Sequence, residues 1–437
     1  MTIERETMLV LVDSGHNNNK FYHVTLSKAG VVTKRWGRVG SDGTVRTENT
    51  GLSGYYKAVE AKERKGYKET RVNATHVTTT ASTSSASLEK VAQKHLTTDP
   101  TNTLVSDLIS RLVQSNRHQI MQQSGGQIKI SDDGIVRTAL GIVDQRTINE
   151  ARHLLDRIQN PTTYSRKSID EYLTLVPQDL GRRSGWADKF LSVESLNEQR
   201  NFLTQLESSV QWYNKTLAAA QATTDDKDDD TDHSDLFRMK LGYLDKKDPR
   251  FKAINDAYMK SRNLRHSSAN LRLVNVFTVE DKGHEEVFNQ TAKKLGNVKQ
   301  LWHGTSVSNV LSILTKGLFI PKSSDGIQIA GRMFGDALYF SPQSSKSLNY
   351  STGFWHGTAR TNNNCFMFYN DIVMGNEFRP TKWGYTEKDR AYNGKDSRGR
   401  RYNSISVKGG TCGVLNDEIM VWNTDQIKLS YLCEFAA

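Results

Sequence analysis

The sequence predicts a multidomain α+β protein: a small antiparallel sheet with one helix, then an all-α helical bundle, then a mainly β C-terminal half. Three observations carry this. Short β-favouring runs, Met8 to Val12, Phe21 to Leu26 and Gly30 to Thr33, are separated by turn-rich stretches at 13–19 and 40–43. From Asp99 onward apolar residues recur at helical spacing. Beyond about residue 270, Gly, Asn, aromatics and short β-prone runs such as Asn364 to Tyr369 and Glu418 to Trp422 take over. A length of 437 residues suits roughly three domains.

Taken in order, Tyr55 to Tyr67 reads as a basic helix closing a first domain over 1–71, which holds thirteen Lys and Arg against eight Asp and Glu. Residues 72–98 are Ala, Ser, Thr and Val without a period and read as a linker. Asp99 and Pro100 stand in the order of an N-cap and a first-turn proline, and Leu104, Val105, Leu108, Ile109, Leu112 and Val113 form one stripe behind them. A second helix is expected after Asp144, with Ile148, Ala151, Leu154, Leu155 and Ile158 on one side. A third carries Leu196, Phe202, Leu203, Leu206 and Val210. The helical domain is placed at 99–222, an acidic linker containing Asp225 to Asp230 at 223–235, and the last domain at 236–437.

Composition narrows the function class. The chain carries 59 Lys and Arg against 48 Asp and Glu, a net charge of +11, which favours an anionic partner. Its three cysteines, Cys365, Cys412 and Cys433, show no CxxC or CxxH spacing, so no zinc finger or disulfide framework is expected and a reducing compartment is. No apolar run reaches the ~20 residues of a membrane span and no secretory leader is read, so neither membrane association nor secretion is expected. The glycine patterns of a Rossmann turn or a P-loop are missing, so a nucleotide must be held by other means.

The informative residues lie late in the chain: Leu301-Trp302-His303-Gly304-Thr305, Gly331-Arg332-Met333-Phe334-Gly335-Asp336-Ala337-Leu338-Tyr339-Phe340, Ser345-Lys346-Ser347-Leu348-Asn349-Tyr350, and Asn416-Asp417-Glu418. They combine hydrogen-bonding side chains, a glycine where a ligand could touch backbone, and two tyrosines able to stack on a planar ring. Singly, each reads equally as a core aromatic or a satisfied structural histidine.

Together these segments closely resemble the catalytic domain of the poly(ADP-ribose) polymerase family, an ADP-ribosyltransferase of diphtheria-toxin-like fold. The resemblance extends along the chain. Leu140-Gly141 and the run Tyr172 to Gly181 look like the helical regulatory domain of its DNA-dependent members, and Lys34-Arg35-Trp36-Gly37-Arg38 resembles the signature of the WGR domain. The order of WGR, helical domain and transferase is similar to the smaller DNA-dependent members.

The resemblance implies NAD as substrate, with no prosthetic group and no metal. It implies that the Gly304 backbone and the Ser347 hydroxyl bind the nicotinamide carboxamide, that Tyr339 and Tyr350 flank the ring, and that His303 bonds the adenosine ribose. His303, Tyr339 and Glu418 would be the catalytic set, Glu418 accepting from the nicotinamide-ribose 2′-hydroxyl and activating the attacking hydroxyl. Lys34, Arg35, Trp36, Gly37 and Arg38 would grip DNA ends through phosphate; the alternative is a buried Trp36 among solubilising charges. Arg38→Ala is expected to weaken DNA binding with thermal stability nearly unchanged.

Phe319, Arg332, Asp336 and Ala337 depart from the family pattern and bear on NAD affinity. The stretch Lys382 to Lys408 holds eight Lys and Arg against three acids, either as a solvated loop or to meet an acceptor. The function expected is a DNA-break-activated enzyme, a monomer off DNA, that forms poly(ADP-ribose) on itself and nearby proteins. It would act in the nucleus of a eukaryote or the DNA-bearing cytoplasm of a bacterium. The rivals are a mono-ADP-ribosyltransferase of the same architecture and a catalytically silent DNA-end adaptor.

Overall fold

The computed structural model describes residues 2–69, most of 93–214, and 238–437 apart from 321–332 and 354–364. The 223–235 linker, most of 72–98, Pro100 and Arg332 lie outside the described residues. The chain divides into two compact units, Met1–Leu88 with Arg117–Ala218, and Glu89–Asn116 with Ala219–Ser323 and Gln328–Ala437.

The first unit opens with an antiparallel sheet. Strands β1 (Ile3–Asp13), β2 (Asn18–Ser27), β3 (Val32–Arg38), β4 (Thr44–Glu48) and β5 (Lys68–Glu69) stand in the order β4-β3-β2-β1-β5. The helix Gly51–Glu63 buries Tyr55 and Ala58 with Leu9, Tyr22, Val24, Leu26 and Val32. The first two expected strands are present but longer. Val32 and Thr33 belong to a strand that contains the whole Lys34 to Arg38 motif, and β4 is an addition.

In the second part of this unit Asp144 caps the helix Gln145–Arg157, its Oδ1 accepting from the Thr147 N–H at 2.7 Å. Ile148, Ala151, Leu154 and Leu155 are buried with the helix Thr163–Leu175 in a cluster that also takes Leu196, Phe202, Leu203, Leu206 and Val210. The expectation of an all-α region needs correction. β6 (Ile128–Ile130), β7 (Val136–Thr138) and β8 (Gly141–Ile142) form a three-stranded sheet, where β-branched residues at 128, 130, 136 and 142 suit a pleated surface better than a helix.

The division between the units falls inside the helix Thr103–Gln123. Its cap is Asn102, whose Oδ1 accepts from the N–H groups of Leu104 and Val105 at 3.0 and 3.3 Å; the expected cap, Asp99, instead closes a turn on Thr101. Within the second unit, Arg111 pairs with the buried Glu434 and Asn116 Nδ2 donates to the Ser308 carbonyl at 3.4 Å.

The rest of the second unit is built on two sheets. β9 (Lys240–Leu244), β10 (Arg272–Glu280), β11 (Val298–Thr305), β13 (Cys365–Val373) and β17 (Ile427–Ala436) form one sheet in the order β11-β13-β17-β10-β9. β12 (Leu338–Phe340), β14 (Glu377–Phe378), β15 (Ser404–Val407) and β16 (Glu418–Val421) form the other, ordered β12-β16-β15-β14. β13, flanked by β11 and β17, is buried at nearly every position, and Trp302 stacks on Tyr369 with ring centroids 4.1 Å apart. The sheets are joined at a bridge: Trp302 N–H donates to the Ser341 carbonyl at 2.9 Å and Ser341 N–H returns the bond at 3.0 Å.

Candidate functional site

The bridge positions everything else. β11 is the edge of its sheet, and Trp302 turns its backbone groups outward to Ser341. Strand alternation points the N–H and C=O of Gly304, two residues later, to that same edge. Gly304 is also required by packing: a Cβ there would lie 1.7 Å from the Ser347 carbonyl oxygen. The helix Ser344–Ser351 therefore crosses the strand at a distance no side chain allows.

That helix is polar and buried, an arrangement that stands only because its side chains are bonded. Ser344 Oγ donates to the Tyr258 carbonyl at 2.9 Å, Ser268 Oγ to Asn349 Oδ1 at 2.6 Å, and Ser347 Oγ to the Trp302 carbonyl at 3.1 Å. With its proton so used, the Ser347 oxygen has lone pairs left to accept from an amide.

His303 and Tyr339 meet across the sheets. His303 Nδ1 lies 2.9 Å from the Tyr339 carbonyl, which can only accept, so Nδ1 carries the proton and Nε2 is an acceptor. Burial, and then the nearby Lys346 charge, hold this imidazole below the ordinary histidine range, so it is neutral at physiological pH. The Tyr339 hydroxyl donates to the Gly335 carbonyl at 2.9 Å and accepts from the Phe334 N–H at 3.1 Å, which fixes the ring.

Glu418 opens β16 beside them. The Ser341 hydroxyl donates to the Asp417 carbonyl at 2.7 Å, and the Asp417 N–H donates to Gln343 Oε1 at 3.3 Å, so the approach to Glu418 is tied to the chain that follows Tyr339. Lys346 Nζ stands 3.4 Å from Glu418 Oε1 with both side chains largely buried. Burial pulls the Lys346 ammonium down and the Glu418 charge opposes that. The same ammonium lies 5.9 Å from the Tyr350 ring, whose hydroxyl burial, with a smaller contribution from Glu418, pushes up to about 12. Two phenol rings, a neutral imidazole, an outward peptide edge and one compensated carboxylate thus converge. Such a site can hold a planar amide and face a developing positive charge with a single anion.

Of the residues expected here, His303, Gly304, Tyr339, Ser347, Tyr350 and Glu418 come together. Lys346 stood inside the Ser345-Lys346-Ser347 motif without a role; its signal was a lysine four residues before Tyr350 in an otherwise neutral helix. Ala337 is buried with Phe334 and Ala391, and Phe319 lies under the Lys316 ammonium at 4.9 Å, so both have packing partners.

The WGR-like strand behaves differently. Alternation along β3 puts Lys34, Trp36 and Arg38 on the face of Val32 and Tyr22, toward the helix, and Arg35 on the face of Phe21. Lys34 Nζ is 2.7 Å from Glu48 Oε2, Arg35 lies over the Phe21 ring at 5.2 Å, and Trp36 is half-buried against Tyr22. Gly37 packs tightly: a Cβ would fall 2.6 Å from Ser41 Oγ and 2.9 Å from Gly43 Cα. Arg38 donates from both Nη atoms to Asn17, to its carbonyl and to its Oδ1, each at 3.1 Å. Asn17 is a left-handed residue, φ 53°, and its Oδ1 also accepts from Trp186 Nε1 at 2.9 Å. The two-residue period of a strand thus leaves Lys34 and Arg38 on the face of Trp36 and puts Arg35 on the other.

The second unit's site thus presents an outward peptide edge, two phenol rings and a compensated carboxylate, groups able to hold an amide-bearing nucleotide. The profile of the poly(ADP-ribose) polymerase catalytic domain matches residues 249–437, and that of the WGR domain matches 5–74. The chain is 33% identical over 159 residues to a putative poly [ADP-ribose] polymerase-like protein of invertebrate iridescent virus 6, covering 82% of it. It is 26% identical to the mouse protein mono-ADP-ribosyltransferase PARP3 over 84% of this chain and 71% of that one. It is 24% identical to a poly [ADP-ribose] polymerase of Drosophila melanogaster over 97% of this chain, spanning 45% of that longer protein. The chain belongs to the poly(ADP-ribose) polymerase family and is an ADP-ribosyltransferase that uses NAD as substrate.

Proposed function

We propose that the protein responds to DNA strand breaks by building poly(ADP-ribose) on itself and on nearby proteins. The observation that carries the chemistry is the convergence of His303, Tyr339, Lys346 and Glu418 at the crossing of the helix Ser344–Ser351 and β11. The outward edge of Gly304 and the Ser347 oxygen take the carboxamide, donor to acceptor and acceptor to donor. Tyr339 and Tyr350 cover the ring faces, and His303 Nε2 accepts from the adenosine ribose. Glu418 accepts from the 2′-hydroxyl of the other ribose. As the C1–N bond breaks, its electron pair leaves with nicotinamide, and the carboxylate faces the oxocarbenium that remains. The attacking hydroxyl forms the new C1–O bond and gives its proton to the same carboxylate.

DNA dependence is supported by the WGR match, by the excess of cations in residues 1–71, and by the seat of the β1–β2 turn on the helical segment of its own unit. Asn19 Nδ2 donates to the Gln178 carbonyl at 3.2 Å and the Ser14 N–H to Asp170 Oδ1 at 3.0 Å, so a ligand that moves this turn pulls on residues 170–186. We assign the helical domain expected at 99–222 the part of a brake on NAD use, with the DNA-bearing compartment as the place of action. A mono-transferase is the second reading, favoured by the mouse relative over 84% of the chain.

One gel tests the assignment. Wild type with NAD and nicked DNA is expected to give a ladder or smear, and without DNA little; a single discrete shift marks the mono-transferase. Glu418→Gln is expected to lose about two or more orders of magnitude in transfer while still binding NAD. Near-normal product from that variant removes Glu418 from the chemistry, and equal product with and without DNA removes the break response.

A further inference from the structure

Exposed aromatics are rare enough on a folded surface that a connected row of them asks for an occupant. Such a row lies on the second unit. Trp383 is 53% exposed, Tyr385 38% and Tyr392 53%. Trp383 and Tyr385 meet edge to face with centroids 5.9 Å apart. The Tyr385 carbonyl and the Lys388 side chain press on Gly335, where an added Cβ would lie 2.6 Å and 3.0 Å from them. Lys388 Nζ lies 5.1 Å from the Tyr392 ring, and Tyr392 meets Trp422 at 6.4 Å. Gly335 holds φ +105°, a value for which glycine is suited, so the row is pinned to the loop whose carbonyl receives the Tyr339 hydroxyl.

The charge around the row has one sign. All three acids between Lys382 and Lys408 are taken by bases of the same stretch: Glu387 by Arg390 at 2.7 Å, Asp389 by Lys388 at 3.1 Å and Asp396 by Arg400 at 2.8 Å. Among the described residues Lys382, Lys395, Arg398, Arg401 and Lys408 are exposed and have no ionic partner. A protein partner without an acidic surface gains little from five uncompensated cations, and a duplex offers phosphates but hides its base faces. An unpaired strand offers both, phosphates to the cations and base faces to the indole and phenol rings.

We propose that this surface, Trp383, Tyr385 and Tyr392 with the cations around them, binds single-stranded DNA beside the transferase site. It is separate from the WGR strand and does not depend on that strand's role. A bound unpaired strand places a gapped or frayed end next to the residues that transfer ADP-ribose.

The test is fluorescence anisotropy of the full chain with labelled oligo(dT) and, separately, with a nicked duplex hairpin, across a salt series. The double variant Trp383→Ala, Tyr392→Ala is expected to lose about tenfold or more in oligo(dT) affinity. Its melting temperature and its affinity for the nicked duplex should be unchanged. Lys382→Glu with Arg398→Glu should weaken oligo(dT) binding and flatten its salt dependence by about 0.7 in log–log slope for each phosphate no longer neutralised. No binding of oligo(dT) by wild type, or binding that both variants leave intact, overturns the proposal. So does an equal loss for both DNAs. An ADP-ribose oligomer bound far more tightly than oligo(dT), with only that binding lost in the variants, also overturns it and gives the surface to the product instead.

Discussion

The transferase site and the β3 strand of the first unit were both visible as short motifs, and the backbone treats the two in opposite ways. In the site, residues far apart in sequence converge because strand, crossing helix and second sheet each deliver one side chain to the same place. His303 reaches the Tyr339 carbonyl and Lys346 reaches Glu418. In β3, residues adjacent in sequence diverge, Arg35 to the Phe21 face and Lys34, Trp36 and Arg38 to the other. Their charges are also committed locally, to Glu48 and Asn17. Proximity in sequence gives a cluster only when the backbone period allows it, and a strand does not.

Gly304→Ala should show the largest effect, because the crossing that builds the site has no room for a methyl group. The clash is with backbone, so the helix Ser344–Ser351 must move. The cost should reach the upper end of overpacking, about 3 kcal/mol, or roughly 6–12 °C in the melting temperature of a domain this size. NAD binding should be lost with it, by calorimetry. An alanine variant that binds NAD normally would show that the helix and strand do not need this close approach.

Lys346→Met tests the ion pair by leaving Glu418 without its cation. In this largely buried setting the carboxylate then loses the partner that offsets its desolvation. Transfer should fall about tenfold or more at neutral pH. Near-normal transfer by the variant would mean that Lys346 does not act on the Glu418 charge.

Arg38→Ala against Arg35→Ala sharpens the contrast within β3. Arg38 makes two bonds to Asn17 and so supports the residue that holds Trp186, whereas Arg35 has the Phe21 ring. Arg38→Ala should destabilise the first unit by about 1.5–3 kcal/mol and Arg35→Ala by about 0.5–1 kcal/mol, read by denaturant titration. This replaces the expectation that Arg38 is dispensable for stability. Equal values for the two would show that the bonds to Asn17 contribute nothing.

What was legible in the sequence follows the same physics. The stripe Ile148, Ala151, Leu154 and Leu155 behind Asp144 gave a helix because cap and period agree locally. The edge strand Thr44–Glu48 was not legible, since Thr-Val-Arg-Thr-Glu lacks an apolar face and is held by its register with Val32 to Trp36. Glu418 was readable as the acid at the start of a β-prone run, but its pairing with Lys346 was not. That pairing depends on how β16 is set beside β12, with Ser341 and Gln343 holding Asp417.

The smallest effect expected is a pH dependence of stability carried by His303. Its folded value lies below the ordinary 6.5, first because the ring is buried and further because the Lys346 ammonium faces it, against the bond to the Tyr339 carbonyl. Between the folded value and 6.5 the unfolded chain binds a proton that the folded chain refuses. The contribution is thus fully present above 6.5 and is lost as pH falls through the folded value. His303→Asn keeps an N–H for the Tyr339 carbonyl, its Nδ2 standing where Nδ1 does, but cannot titrate. The melting temperature of wild type should therefore drop more than that of the variant when pH is lowered from neutral to below 6.5. His266, shifted the same way by burial, leaves a residual slope in both. Because Lys346 supplies part of the shift, Lys346→Met should shrink the wild-type drop toward that of His303→Asn. Parallel curves for all three proteins would mean that the imidazole is no more reluctant to take a proton in the fold than in the open chain.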